Sequence, residues 1–357
     1  SWQRWLTDKA GDYIEIQAGV NRTQYECIPM PPNTAWEWVE AYGPLSLPEE
    51  QLHGDYRAAC AAAEQVIEAT VGEEWLETFL HESKSETTLQ KAEVLSYAPE
   101  TAWAALENRR RALAGEPLME PHLDFGSITV EQEPWRQLAE TGRFPCPNPT
   151  EAPASYMVSD KWFQLLKQAT EQPDAPETRN WYAWFHLGLQ YFQREEDNAA
   201  RQAFERSVAL KDNPWAWYGM AALAHRRQDS ITSDYLEKAA PQLIGKIEFV
   251  REWFQLLCHY QAYNRVLEAY ATLPEEMAKD GRVRYYYAYA LADSDRLEEA
   301  EAILNDNGAL IINDLREGTT PLSDLWLLIE EKKAQKGGQN FNPQTADIPP
   351  QFDYRMA

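Results

Sequence analysis

The chain has 357 residues, of which 44% are hydrophobic, enough for two or three domains and a substantial core. Its 33 lysines and arginines face 57 aspartates and glutamates, a formal net charge of −24 that repels phosphate backbones and anionic lipid and so argues against nucleic-acid and membrane partners. No run approaches the roughly 20 apolar residues of a membrane helix, no charged-then-apolar leader is seen, and four scattered cysteines without a CxxC pair read as reduced thiols of a cytoplasmic protein.

The first element is "GDYIEIQAG", Gly11 to Gly19, which alternates strictly. Tyr13, Glu15 and Gln17 fall on one side, and Ile14, Ile16 and Ala18 on the other, the pattern of a strand with an apolar back. "TQYECIP", Thr23 to Pro29, is a second expected strand closed by the turn "MPPN". "TAWEWVEAYG" places Trp36 and Trp38 on one face of a third. Three aromatic-rich strands do not bury themselves. Residues 1–46 are therefore expected to be the last strands of a larger β domain whose body lies upstream, in keeping with a chain that starts at Ser1 rather than Met.

Residues 47–150 read as a helical connector. Pro48 followed by Glu49 and Glu50 suits a helix start, and Tyr56, Ala59, Cys60, Ala63 and Val66 form one apolar stripe. Another helix is expected from Pro99 to Leu113, with the basic "NRRR" better explained as a helix C-terminus than as a phosphate site. "HLDFGSITVEQEPW" reads as a short strand and loop, and "FPCPNPTEAPA", residues 144–154, as a proline-rich linker.

From residue 151 to 336 the period is that of helical hairpins. Trp184, Leu187, Gly188, Tyr191, Ala200 and Phe204 match the tetratricopeptide spacing W-x2-L-G-x2-Y followed by A-x3-F. Small residues at Gly188 and Ala200 let two antiparallel helices approach, and the large ones fill the gaps around them. A second copy carries Trp217, Met220, Ala221 and Ala224, a looser third Trp253 and Tyr260, and a fourth Tyr287, Ala288, Leu291, Ala300 and Leu304. Four copies at about 33–36 residues make a mainly α chain with a tetratricopeptide-like solenoid. Trp184, Trp217 and Trp253 are expected in the core. Pro321 to Lys336 reads as a capping helix, and residues 337–357 as an extended tail whose Phe352, Tyr354 and Met356 suit docking.

The order "YIEIQAG", "TQYE", "AWEWVEAYGPL", "EPWRQLAETGRFP", "NWYAWFHLG" and "FDYRM" resembles a bacterial family in which a galactose-mutarotase-like β-supersandwich of unknown function precedes tetratricopeptide repeats. The chain matches the C-terminal part of that family. A late strand of pattern hydrophobic-Glu-x-Gln carries the catalytic base in galactose mutarotases, and Ile14-Glu15-Ile16-Gln17 is similar to it. The resemblance implies a carbohydrate-acting parent, glycosidase-like or aldose-epimerase-like, with Glu15 as its acid–base group and Tyr13, Gln17 and Arg22 near the sugar. None of the six histidines lies in a comparable strand, so this chain alone is expected to be inactive.

The family register also assigns the inner groove of the repeats to Tyr182, Phe185, Phe192, Trp215, Tyr218, His225 and Phe254. Such an aromatic groove suits an extended peptide, the upstream β domain or the chain's own tail, and filling from within is the favoured expectation. The competing function is a non-enzymatic scaffold that binds a protein partner there. Expected partners are the upstream β domain, on the same or a second chain, a carbohydrate and a second copy. No cofactor and no metal are indicated, because no P-loop, GxGxxG, GxSxG or HExxH pattern occurs.

Overall fold

The computed structural model describes residues 16–84, 102–119, 123–172, 175, 177–315 and 319–355. It is mainly helical, with sixteen α-helices and no strand among the described residues. Its contacts separate two units, Ile16–Thr129 and Val130–Ala357. The second unit thus begins before the proline-rich stretch and includes it.

In the first unit, α1 (Glu49–Leu52), α2 (Tyr56–Val71), α3 (Glu73–Glu82) and α4 (Ala102–Ala114) follow an irregular stretch. The strands expected at Thr23–Pro29 and across Trp36 and Trp38 do not form. A strand requires a neighbour's N–H and C=O groups, and the described residues here offer none. Tyr25 is accordingly 87% exposed and Ile16, on the supposed apolar back, 79%. No strand forms in residues 123–129 either. Asp55 caps α2 by accepting from the Ala58 amide at 3.0 Å. Of the expected stripe on α2, Ala59, Cys60 and Ala63 are half-buried while Tyr56 and Val66 stay exposed. The arginines of α4 serve the helix itself: buried Arg110 bridges Glu107 and Glu116 at 2.8 and 2.6 Å.

The second unit is built of helical hairpins. After α5 (Glu133–Thr141) and α6 (Asp160–Glu171), α7 (Trp181–Gln193) pairs with α8 (Asp197–Leu210), and α9 (Pro214–Arg226) with α10 (Thr232–Leu243). Next, α11 (Ile247–His259) pairs with α12 (Tyr263–Tyr270). The one-turn helix α13 (Glu275–Ala278) leads to α14 (Gly281–Asp293), which pairs with α15 (Leu297–Leu304), and α16 (Pro321–Lys336) closes the series. Each hairpin rests on its neighbours in chain order, the arrangement of an α-solenoid.

Local sequence explains where these helices start and stop. Asn180 accepts from the Tyr182 and Ala183 amides, Asn213 from Ala216, and Asp280 from Arg282 and Val283, so the first helix of three hairpins has a side-chain cap. Four first helices end alike. Glu195, Gln228, Gln261 and Asp295 take left-handed φ values of 56–64°, recurring every 33 or 34 residues. The amide just beyond each reaches back to a helix carbonyl: Glu196 to Tyr191, Asp229 to Ala224, Ala262 to Leu257 and Arg296 to Leu291, at 2.8–3.0 Å. This is the Schellman ending, made here without glycine.

The core follows the expected spacing in its small and aliphatic members. Leu187, Ala200 and Phe204 are fully buried, as are Leu236, Ala239, Leu291 and Ala300. Trp253 is buried, whereas Trp184 and Trp217 are only half-buried and turn their indole N–H groups to Thr178 O and Asp212 Oδ1. The tail is docked: Ile348 and Phe352 are buried beside Leu322, Leu325 and Ile329 of α16. Ser323 fastens it, donating to Phe352 O at 2.6 Å and accepting from the Tyr354 amide at 3.0 Å. Met356 lies outside the described residues. No helix among the described residues is long and apolar enough to cross a membrane.

Candidate functional site: a groove closed at one end and open at the other

Of the residues expected at a sugar, Tyr13 and Glu15 lie outside the described residues. Gln17 and Arg22 are exposed, and the Arg22 amide donates to Glu26 Oε2 at 2.9 Å, a local turn contact. The described geometry thus brings no pair of carboxylates together around Gln17 and Arg22.

The expected groove residues divide by position. Tyr182 and Phe185 on α7 are buried, at 2% and 4% exposure: Phe185 packs beside Phe204 of α8 and His186, while another part of the chain lies on Tyr182. That part is the proline-rich stretch 144–155. Phe144 stacks on Tyr182 with ring centroids 5.3 Å apart, and Asn180 donates to Phe144 O and Pro145 O at 2.9 and 3.0 Å. The Ala154 amide donates to the Tyr182 hydroxyl at 2.7 Å, and the Trp215 indole donates to Pro149 O at 2.9 Å. Trp135 on α5 donates to Ser155 O at 2.8 Å and sets its ring edge-on to Phe144, Trp162 and His186. The stretch read as a linker is therefore a strap, held through its carbonyls by the side chains of Trp135 before it and of Asn180 and Trp215 after it.

Farther along, Phe192 is half-buried under the Arg226 guanidinium, 3.5 Å from its ring centroid. The Tyr218 hydroxyl donates to Glu252 across the α9–α11 step. His225 Nδ1 lies 2.9 Å from the Tyr260 hydroxyl, with the His259 ring 5.2 Å away. Phe254 does not line the groove: it is fully buried on the face of α11 that packs on neighbouring helices. One helical residue changes direction by about 100°, so a register displaced by one or two positions exchanges groove for core.

The open part lies among α11, α14 and α16. A cavity of about 600 Å³ is lined there by Gln255, Cys258 and His259 of α11, by Arg282, Tyr285, Tyr286 and Tyr289 of α14, and by Thr319 to Pro321 and Asp324 at the start of α16. Tyr285 and Tyr289 stand three and seven residues beyond Arg282, a single stripe of α14. Tyr287 points elsewhere and stacks face to face on Tyr270, centroids 3.7 Å apart. The sequence reading placed none of these lining residues in the groove. The signal was the run "RYYYAYA", which helical spacing divides between two faces.

The charges around this cavity are unevenly matched. Arg282 Nε donates to Asp314 Oδ2 and its Nη2 to Asp314 O, both at 3.0 Å. Arg251 spans Asp280 and Asp314, at 2.5 and 3.1 Å. Burial alone would raise the Asp280 carboxyl, but the Arg251 bond and the backbone donors of α14 outweigh it and hold it below the usual carboxylate range. Two arginines are thus matched by two aspartates. Asp324 is left over: it is exposed to the cavity, accepts among the described residues from the Thr320 hydroxyl at 3.1–3.2 Å, and has its carboxyl pKa raised by partial loss of solvent. Burial pushes the Cys258 thiol up to about 12, so it remains a neutral, unreactive wall of the cavity.

Comparison of the chain with protein-family models, curated proteins and solved structures finds no match.

Proposed function

We infer that the second unit is a tetratricopeptide-like interaction scaffold that receives an extended segment of a partner polypeptide between α11, α14 and α16. One observation carries this reading: the groove is filled by the chain's own strap at Tyr182 and Trp215 but stands open, with a volume of about 600 Å³, at Tyr285 and Tyr289. Tyrosine walls favour such a ligand, since they give large contact area at low conformational cost and keep a polar tip for main-chain groups. The tetratricopeptide assignment is supported by the Gly188–Ala200–Phe204 packing and by turns that recur every 33 or 34 residues.

The saccharide reading rests on the resemblance alone, because Tyr13 and Glu15 lie outside the described residues and the described first unit supplies no cleft of paired carboxylates. An upstream supersandwich completing residues 1–46 belongs with it.

The test of the scaffold reading is selection of random phage-displayed peptides on the whole chain, followed by titration of synthetic copies. Selected peptides are expected to lose about ten-fold in affinity, or 1.4 kcal/mol, with Tyr289→Ala while circular dichroism stays unchanged. Failure to select any peptide, or binding indifferent to Tyr289→Ala, overturns it.

A further inference from the structure

We propose that the open end of the groove is a receptor for a basic side chain, an arginine or lysine on the partner's extended segment, seated against Tyr285 and Tyr289 with its cation on the Asp324 carboxylate. The proposal rests on the scaffold reading and names the chemistry of the partner.

The first argument is charge accounting. Among the described residues Arg282 is the cation of the cavity wall, and it is spent on Asp314 through both a carboxylate and a carbonyl oxygen. Arg251, beside it, is spent on Asp280 and Asp314. Among the described residues Asp324 meets no lysine or arginine, and the Thr320 hydroxyl supplies one neutral donor for two carboxylate oxygens. A carboxylate whose hydration is reduced by cavity walls gains most from an incoming cation, since the Coulomb term grows as the local dielectric falls.

The second argument is the company Asp324 keeps. Burial first, and then the Asp324 charge, raise the Tyr285 phenol. For Tyr289 burial leads, followed by Asp293 and more weakly Cys258 and Asp324. Both rings therefore stand within electrostatic reach of that carboxylate. An aromatic face attracts a cation through its quadrupole, and arginine adds planar stacking and a forked pair of donors that fits a carboxylate.

The same unit already uses this contact within itself. Arg194 lies 4.2 Å from the Phe163 centroid while bonding Asp160, and Arg226 lies 3.5 Å from the Phe192 centroid while bonding Asp197. In both cases an arginine from the next helix pair meets both a ring and an aspartate. At Tyr285, Tyr289 and Asp324 the ring and the aspartate are present without the arginine. A net charge of −24 adds long-range attraction for a basic segment and repulsion for an acidic one.

The experiment uses the peptides selected on the whole chain and compares the chain with its Asp324→Asn variant, which keeps size and shape. Selected sequences are expected to share one arginine or lysine. Replacing that residue by alanine, or Asp324 by asparagine, is expected to weaken binding about ten-fold each, and the two together little more than either alone. Peptides that bind through Tyr289 yet carry no basic residue, or that bind Asp324→Asn equally well, overturn the proposal and leave the scaffold reading standing. If no peptide is selected, both fall.

Discussion

The Phe204 ring stands where a side chain at Gly188 would be: a Cβ there would lie 2.6 Å from two of its carbons. A Cβ at Gly219 would meet the same ring at 2.6 and 2.7 Å. One fully buried aromatic thus holds α8 against the glycines of both α7 and α9. Because the ring is clamped on two sides it cannot swing away cheaply. Gly188→Ala is expected to lower stability by about 1–3 kcal/mol in denaturant titration, the cost of overpacking a full core. A loss below about 0.5 kcal/mol would show that the ring has room to yield.

The hairpin turns offer the opposite change. Gln261 has φ 56°, a conformation in which a Cβ is strained and glycine is not. Gln261→Gly is expected to raise stability by about 0.5–1 kcal/mol, the relief of the strain exceeding the entropy glycine adds to the unfolded chain. Thermal unfolding of the variant checks this, and a lower midpoint would contradict it.

Removing one hydroxyl should loosen the strap. The Ala154 amide has the Tyr182 oxygen as its acceptor, at 2.7 Å. Tyr182→Phe keeps the stacking with Phe144 and deletes the acceptor. Hydrogen exchange is expected to quicken at Ala154 with little change at the amides of α8, at a cost of about 1 kcal/mol. Asn180→Ala should do more, about 2–4 kcal/mol, since it removes a helix cap and leaves Phe144 O and Pro145 O without their donor.

His186 makes the second unit acid-sensitive. It is fully buried, ringed by Trp135, Phe144, Tyr182 and Phe185, and neither ring nitrogen has a hydrogen-bond partner among the described residues. Loss of solvent takes its pKa down to about 3. The unfolded chain therefore takes up a proton below pH ~6.5 that the folded chain refuses. Stability is full above that pH and declines as pH falls toward the folded value, by on the order of 3 kcal/mol between pH 6.5 and 4. His186→Leu should remove this slope, and unfolding midpoints measured at both pH values decide it. An unchanged slope would contradict the assignment to His186, because a carboxylate held down by its partners, such as Asp280, begins to lose stability only near the carboxylate range, below this window.

What was legible in the sequence depended on whether the physics was local. The spacing of Gly188, Ala200 and Phe204 encodes helix against helix, and the hairpins stand where it placed them. The strap was not legible, because "FPCPNPTEAPA" has the composition of a linker. Its order comes from Asn180, Tyr182 and Trp215, all distant in sequence. The recurring turns carry glutamate, glutamine or aspartate where glycine would have announced a left-handed residue. The strands expected at Thr23–Pro29 and across Trp36 and Trp38 had the composition of strands, but composition and alternation specify a face and not a neighbour. Of this tyrosine run the sequence singled out only Tyr287, since four tyrosines in five positions blur which face each one takes.

The central claim is that a partner segment lies at Tyr289 and is kept from Trp215 by the chain's own Pro149. Site-specific photo-cross-linking tests it most directly, with a benzophenone side chain in place of Tyr289 or of Trp215 and a selected peptide as probe. Adducts from position 289 and none from position 215 are the expected result. Adducts from position 215, or their absence at 289, would contradict it.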